Sequence, residues 1–366
     1  MHIDVEREKL LTPVSLVAGV VERRQTLPIL GYVLLQAADG SITMVGTDLE
    51  VEMVATVGGK VRESGEATVP ARKLLDICRA LPERAELTLT KQGTKVILKA
   101  GRSRFTLSSL APADFPKVEV ETFPYTLDIP AVKLKYVLES TAFCMALQDV
   151  RYYLNGLYLE LEDRHLRAVA TDGHRMAVTE ITHEHHAHSG TQLILPRKAV
   201  QEILRLLPND ETPVSLLVGQ NHLRLTINGL TVTSKLIDGK FPDYRKVIPT
   251  AQTKTVLLDR GLFREALNRA AILANEKYRG VRLNLQAGKL AITAHNPEQE
   301  EAVEELEIDY RGEPLEIGFN VNYLADAANA VDSSELHLGL SDASSSCTLK
   351  SPSGSATQYI VMPMRL

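Results

Sequence analysis

AVATDGHRMAV, residues 168–178, joins two alternating apolar runs through Thr171-Asp172-Gly173-His174-Arg175. An acid, an imidazole and a guanidinium around a flexible glycine are the ingredients of a catalytic or metal site. Whether they form one depends on whether the cluster stands alone, and it does not. VGTDLEVEM (45–53) carries Thr47-Asp48 and AITAHNPEQ (291–299) carries His295-Asn296, so the acid-or-amide position falls at 48, 172 and 296, both intervals being 124. Gly31, Gly156 and Gly280 keep nearly the same beat, at 125 and 124, as do Pro70, Pro196 and Asn320, at 126 and 124. The chain is three homologous units in tandem. The units do not preserve the chemistry of the cluster: the first has Leu49-Glu50-Val51 where the second has Gly173-His174-Arg175. What recurs is a strand end and its turn. Hydrolysis by Asp172 and His174 also lacks a serine or cysteine nucleophile placed by motif.

Each unit reads as a strand, an amphipathic helix and three strands, twice over. HIDVE, YTLDI and TVLLD alternate as strands, and Leu10, Val14, Val17 and Val21 then recur at helical spacing. The second helix of the middle unit sets Val200, Ile203, Leu204 and Leu207 on one face, and Pro82 or Pro208 closes such helices. Turns such as Asp39-Gly40 and Ala287-Gly288 separate the strands. One apolar and one polar face per strand predict an α+β fold, with antiparallel sheets and helices packed on a single side. Junctions fall near ETFPY (121–125) and PTAQTK (249–254), which gives domains over 1–122, 123–250 and 251–366.

Composition narrows the class. The chain has 366 residues, 44% hydrophobic and 24% charged, with a net charge of −5. Any nucleic-acid contact therefore needs its positive charge gathered on one face. The start, MHIDVEREKLL, has neither the basic lead and apolar core of a signal peptide nor a bilayer-spanning run, and a cytoplasmic location is expected. Cys78, Cys144 and Cys347 are odd in number and set among apolar residues, the pattern of reduced core thiols. His183, His185, His186 and His188 in THEHHAHSG have metal-binding density, but no cysteine lies near and no helical spacing orders them; a solvated loop is the expectation, with no metal and no cofactor.

A tandem array suits extended binding better than one reaction centre. It either stays open, as a scaffold for proteins alone, or closes, in which case its end strands pair. SRFTLSSL (103–110) carries Phe105 and Leu107 on one face, and Ile272-Leu273 offers an apolar partner. Arg102 and Arg104 beside the first could face Glu298, Glu300, Glu301 and Glu304 beside the second. Periodicity alone is equally satisfied by an outward-facing strand and a solvated acidic face.

Longer motifs carry a resemblance. TLPIL (26–30), GTDLE (46–50), VPARK (69–73), ADFP (113–116), QDVRYYLNG (148–156), TDGHR (171–175), DGKFPDYRKV (238–247), NEKYRGVR (275–282), NPEQEEAVE (296–304), GFNVNYL (318–324) and VMPMRL (361–366) run end to end. The chain resembles the bacterial sliding clamps, the β subunits of DNA polymerase III. The resemblance implies a non-catalytic, ring-shaped homodimer of six similar domains, helices lining the pore and sheets outside. It implies duplex DNA encircled without sequence preference, which confers processivity. The expected partners are the replicative polymerase's catalytic subunit, the clamp loader, other DNA polymerases, ligase and mismatch-repair proteins, all bound through short peptides.

A clamp must hold DNA through phosphates without reading it. Basic or polar residues that could face the pore are Arg24, Arg72, Lys73, Arg79, Gln148, Arg151, Tyr152, Tyr153, Arg197 and Lys198. The resemblance assigns DNA contact to Arg24 and to the loop with Gln148, Asp149, Tyr152 and Tyr153. It also makes TDGHR part of a peptide cleft with Leu154, Thr171, Gly173, His174, Arg175, Met176, Pro242, Arg245, Val247, Tyr278, Asn320, Tyr323, Ile360, Met362, Pro363, Met364 and Arg365. Methionine is unbranched and polarizable, so such a pocket adapts to differing apolar side chains. Residue 278 is tyrosine where many relatives carry phenylalanine, and its hydroxyl would sit at the rim.

Overall fold

The computed structural model describes residues 1–21, 27–118, 121–162, 164–182 and 190–366. Arg24 and the His183–His188 cluster lie outside the described residues. Among the described residues are six α-helices: α1 (Arg7–Val20), α2 (Ala71–Ala80), α3 (Ala131–Ala142), α4 (Arg197–Leu206), α5 (Arg260–Ala270) and α6 (Val321–Ala330). None of them is long and apolar enough to cross a membrane. The expected strand-helix-three-strand order recurs, with one addition: Lys60–Glu63 forms a short strand that pairs with His2–Glu6.

The chain divides into two compact units. The first, Met1–Val132 with Lys198–Leu236, holds a five-stranded sheet ordered Lys60–Glu63, His2–Glu6, Glu86–Gln92, Lys95–Ala100, Ser103–Ser108. It also holds an eight-stranded sheet ordered Tyr125–Pro130, Pro213–Val218, His222–Ile227, Leu230–Lys235, Val51–Gly58, Ser41–Thr47, Tyr32–Ala38, Gly65–Pro70. Helix α1 buries Leu10, Val14 and Val17 of the apolar stripe seen in the sequence, together with Val20, against α2 and the strands Ser41–Thr47 and Val51–Gly58, while Val21, the fourth residue of that stripe, is buried just past the helix end. The Arg7 guanidinium donates to the Cys78 carbonyl at 2.7 Å and ties the two helices together.

The second unit, Lys133–Arg197 with Ile237–Leu366, repeats the plan. Its eight-stranded sheet runs Thr191–Pro196, Gly156–Glu162, His165–Thr171, Arg175–Thr182, Gln358–Val361, Cys347–Lys350, Glu335–Leu340, Lys254–Asp259. A four-stranded sheet runs Glu301–Glu307, Lys289–His295, Gly280–Gln286, Leu315–Asn320. Helices α5 and α6 pack together, and their N-termini are capped by Asp259 and Asn320, whose side chains accept from backbone N–H groups of the first turn. All three cysteines are buried and unpaired.

Both eight-stranded sheets are shared between successive repeats. The last strand of the middle repeat, Leu230–Lys235, pairs antiparallel with the strand Val51–Gly58 of the first, with Val232 opposite Met53. The last strand of the third repeat, Gln358–Val361, pairs with Arg175–Thr182 of the second, with Ile360 opposite Met176. The compact units therefore do not coincide with the sequence repeats. The equivalents of those seam strands at the two ends, Ser103–Ser108 and Glu301–Glu307, are sheet edges.

Candidate functional site

The TDGHR segment is a turn closed by its own side chains. The Thr171 hydroxyl donates to the Arg175 carbonyl at 2.7 Å and accepts from the Gly173 N–H at 3.0 Å. Asp172 Oδ1 accepts from the N–H groups of His174 and Arg175 at 2.9 and 3.0 Å, while Oδ2 takes Arg175 Nε at 3.1 Å. Gly173 holds φ +88°, where a missing Cβ removes the steric cost. The first repeat builds the same turn: Thr47 donates to the Val51 carbonyl, and Asp48 accepts from Glu50 and Val51. Leu49 there takes φ +80°. Asp172 is thus committed to shaping the chain rather than to proton transfer.

What differs is what surrounds the second turn. A cavity of about 210 Å³ opens beside it, lined by Leu154, Thr171, Gly173, Arg175, Met176, Pro242, Val247, Ile360 and Met362 from the expected set. Its floor is a buried cluster in which Tyr158 stacks on Phe241 at 4.8 Å, with Val169, Ile194 and Tyr244 around them. Arg175 forms one wall. Its guanidinium bonds Asp326 at 2.5 Å and the Phe143 carbonyl at 2.9 Å, and lies 4.6 Å from the Tyr323 ring centroid. Burial opposes its charge, yet the neighbouring Cys144, Asp326 and Asp172 hold its pKa above the ordinary arginine value. The His174 ring stacks on Tyr323 at 6.4 Å, and the His174 carbonyl accepts the Met362 N–H at 2.9 Å.

Three expected cleft residues, Tyr278, Met364 and Arg365, line a second cavity of about 370 Å³ on the outer face of the four-stranded sheet. Asn320 caps α6 and donates to the Tyr278 carbonyl, and Pro363 is half-buried in the tail between the cavities. Arg245 turns away from the cleft: it donates to both oxygens of Glu160 at 3.0 and 2.8 Å. Glu160, only 3% exposed, also receives Arg167 and the Tyr244 hydroxyl. Burial alone would raise its pKa, but hydrogen bonds from Arg245, Arg167 and Tyr244 pull it below the usual glutamate value. This cluster pins the segment that carries Pro242 and Val247.

The residues expected at DNA are distributed unevenly. Arg72, Lys73 and Arg79 are exposed on α2. The loop 147–152 presents Leu147, Val150 and Tyr152 to solvent, and Gln148 adopts φ +56°. Arg151, in contrast, is gripped by Asp149 at 3.0 and 2.8 Å and reaches the Asp172 carbonyl; with Tyr153 it lines the 210 Å³ cavity. The Arg151 hydrogen bond holds the Asp149 carboxyl down at about 2. The sequence signal for that grip is Asp149-x-Arg151 itself. Arg197 donates to the Met145 carbonyl, and Lys198 bonds the Val20 carbonyl and pairs with Asp48. At the other expected surface, Phe105 is half-buried, Leu107 buried, Ile272 76% exposed and Leu273 half-buried. Arg102, Arg104, Glu298, Glu300 and Glu301 are exposed, while Glu304 is held by Arg269 at 3.0 and 2.7 Å.

Comparison with known proteins agrees along the whole chain. Models of the N-terminal, central and C-terminal domains of the DNA polymerase III beta subunit match residues 1–119, 128–243 and 245–365. The beta sliding clamps of Pseudomonas putida and Escherichia coli are 51% and 47% identical, with both chains fully covered in each alignment. A crystal structure of the Pseudomonas aeruginosa clamp bound to griselimycin superposes with a TM-score of 0.96 at 49% identity, again covering both chains fully. With three domain models matched in order and relatives near half identical from end to end, the chain belongs to the family of DNA polymerase III β subunits, the bacterial sliding clamps.

Proposed function

We propose that this chain, a non-catalytic sliding clamp, works as a head-to-tail pair that closes around duplex DNA and tethers the polymerase and other replication and repair proteins through the TDGHR cleft. The domains are taken as 1–122, 123–250 and 251–366. The seams carry the closure reading. Two of three equivalent seams are made within the chain, and the strands left over, Ser103–Ser108 and Glu301–Glu307, are the two halves of the third. Exposed edges invite pairing, and a second copy satisfies both at once.

The internal seam supplies a register for the missing one. The hairpin pair Ala100 and Ser103 corresponds to Ile227 and Leu230, and Thr47 with Glu52 corresponds to His295 with Glu301. Val232 opposite Met53 then becomes Phe105 of one copy opposite Ala302 of the other. Arg104 faces Val303, with Glu301 and Glu305 as diagonal neighbours of opposite charge.

Solution mass together with retention on nicked circular but not linear DNA tests closure; a monomer, or equal loss from both DNAs, leaves the open protein-binding scaffold. Cysteines at Arg104 and Val303 test the register, because directly opposed residues come within disulfide reach. They should cross-link two copies under mild oxidation, whereas Arg104→Cys with Ala302→Cys should not.

The cleft reading rests on a cavity with an apolar floor and a cationic wall, in a family one of whose members was crystallised with griselimycin. Sliding follows from contacts to phosphate alone, which the exposed Arg72, Lys73 and Arg79 can supply. Their replacement by alanine should weaken binding equally on unrelated sequences and flatten its salt dependence.

A further inference from the structure

We propose that Gly280 and Gly318 are positioning residues for the peptide cleft: they form a seat for the tail Met362–Leu366, and the tail in that seat holds Met362 against the cavity. The inference rests on the cleft reading above.

Strands Gly280–Gln286 and Leu315–Asn320 pair so that Arg282 lies opposite Gly318 and Gly280 opposite Asn320. The two glycines and Arg282 therefore share one face of the sheet. The tail crosses that face. Its upper end is fixed where the Met362 N–H meets the His174 carbonyl, and its lower end where the Met364 N–H meets the Gly318 carbonyl, both at 2.9 Å. Arg282 Nη2 donates to the Leu366 carbonyl at 3.1 Å, while Nη1 is held by Glu316 at 2.9 Å. Pro363 lies between the two fixed points, and its ring restricts the backbone that joins them. A displacement at Met364 is thus transmitted to Met362.

The absence of side chains at the seat is what lets the tail lie so close. A methyl group at Gly318 would sit 2.5 Å from the Met364 carbonyl oxygen and 2.9 Å from Leu366 Cδ1. One at Gly280 would overlap the Leu366 Cδ2 methyl. In both cases the three nearest atoms belong to the tail, and neither glycine uses the left-handed region. Alanine therefore suits the strands themselves and disturbs only the tail. The landmark glycine has another setting in each repeat: Gly31 faces open space and Gly156 packs on Ile194 and the Leu195 carbonyl.

The test uses the full chain and its Gly318→Ala, Gly280→Ala, Leu366→Ala, Gly280→Ala/Leu366→Ala and Gly173→Leu variants. Griselimycin and a labelled peptide from the polymerase are titrated into each, with solution mass, melting temperature and tail amide exchange measured alongside. Gly318→Ala should weaken both probes about tenfold or more and speed exchange at Met364, with mass and melting temperature held. Gly280→Ala and Leu366→Ala should each weaken binding about threefold to tenfold, and their combination should recover much of the loss, because the smaller tail residue fits the filled seat. Parent affinity in Gly318→Ala, or single losses that simply multiply in the double variant, would overturn the seat. If the parent binds neither probe, or Gly173→Leu binds as the parent does, the cleft reading itself fails and takes this inference with it.

Discussion

The outer faces of the first and second repeats are built on one plan and end differently. Both have a Thr-Asp turn with its third residue at positive φ, and both have a Phe-Pro segment laid over the sheet, at Phe115 and at Phe241. In the first repeat the row across the strands reads Glu66, Gln36, Thr43, Thr56, hydrogen-bonded as two pairs, Gln36 with Glu66 and Thr43 with Thr56, of exposed or half-buried neutral and acidic groups. The same row in the second reads Gln192, Glu160, Arg167, Glu180. There the row is covered, because Tyr244 and Arg245 reach over to Glu160. A cavity opens beside the second turn only because its neighbours changed around a retained scaffold. The recurrent parts of such a protein are structural, and the candidate site lies where one repeat departs from the others.

The comparison breaks most sharply at Gly173. Leucine is already tolerated in the equivalent turn, at Leu49, so Gly173→Leu should fold, with strain of about 1–2 kcal/mol. Its Cβ would meet the Arg151 guanidinium nitrogens at 2.9 Å, and the side chain would fill the cavity. Losing two apolar peptide contacts of about 1.5–3 kcal/mol each predicts a fall in affinity of about a hundredfold or more by fluorescence anisotropy. Near-parent affinity would mean that the two turns do not differ in function.

Next in size is the row beneath. Glu160→Ala leaves Arg167 and Arg245 facing each other without their shared carboxylate, and should cost about 3–5 kcal/mol in urea unfolding. Gln36→Ala, at the matching half-buried place, removes one neutral hydrogen bond to the exposed Glu66 and should cost no more than about 1 kcal/mol. The same carboxylate sets a pH dependence. Its folded pKa lies below the ordinary glutamate value of about 4.5, so the unfolded chain takes up a proton first as pH falls. The stabilisation is complete above about 4.5 and is lost as pH drops through the lower folded value. Melting curves of Glu160→Gln should accordingly lack part of the acid-side loss seen in the parent, and matching slopes would refute that origin.

The smallest effect belongs to the rim. Tyr278 is 56% exposed, and its ring faces the Lys277 ammonium at 5.2 Å. Tyr278→Phe keeps the ring and should change peptide affinity less than about threefold in the same titration. A larger change would show that the hydroxyl touches the ligand.

The sequence by itself determined the repeat, the strand-helix-three-strand order, the buried thiols and the turn at TDGHR. Those are local: periodicity, a Thr-Asp pair and a glycine act within a few residues of chain. Most of the cavity lining was legible too, but through long motifs rather than through chemistry. Tertiary structure alone decided which side each long side chain took. Arg245 and Arg151 are cations of similar context in sequence, yet a buried carboxylate on a distant strand draws Arg245 away from the cleft, and Asp149 steers Arg151 onto it. It also decided that sheets are shared across repeat boundaries, since strand pairing between Leu230–Lys235 and Val51–Gly58 leaves no mark in either segment alone. Gly280 shows the limit most plainly: its interval of 124 from Gly156 announces a repeat, while its use, as a seat for residues more than eighty positions later, depends on which atoms the fold brings against the space where a Cβ would be.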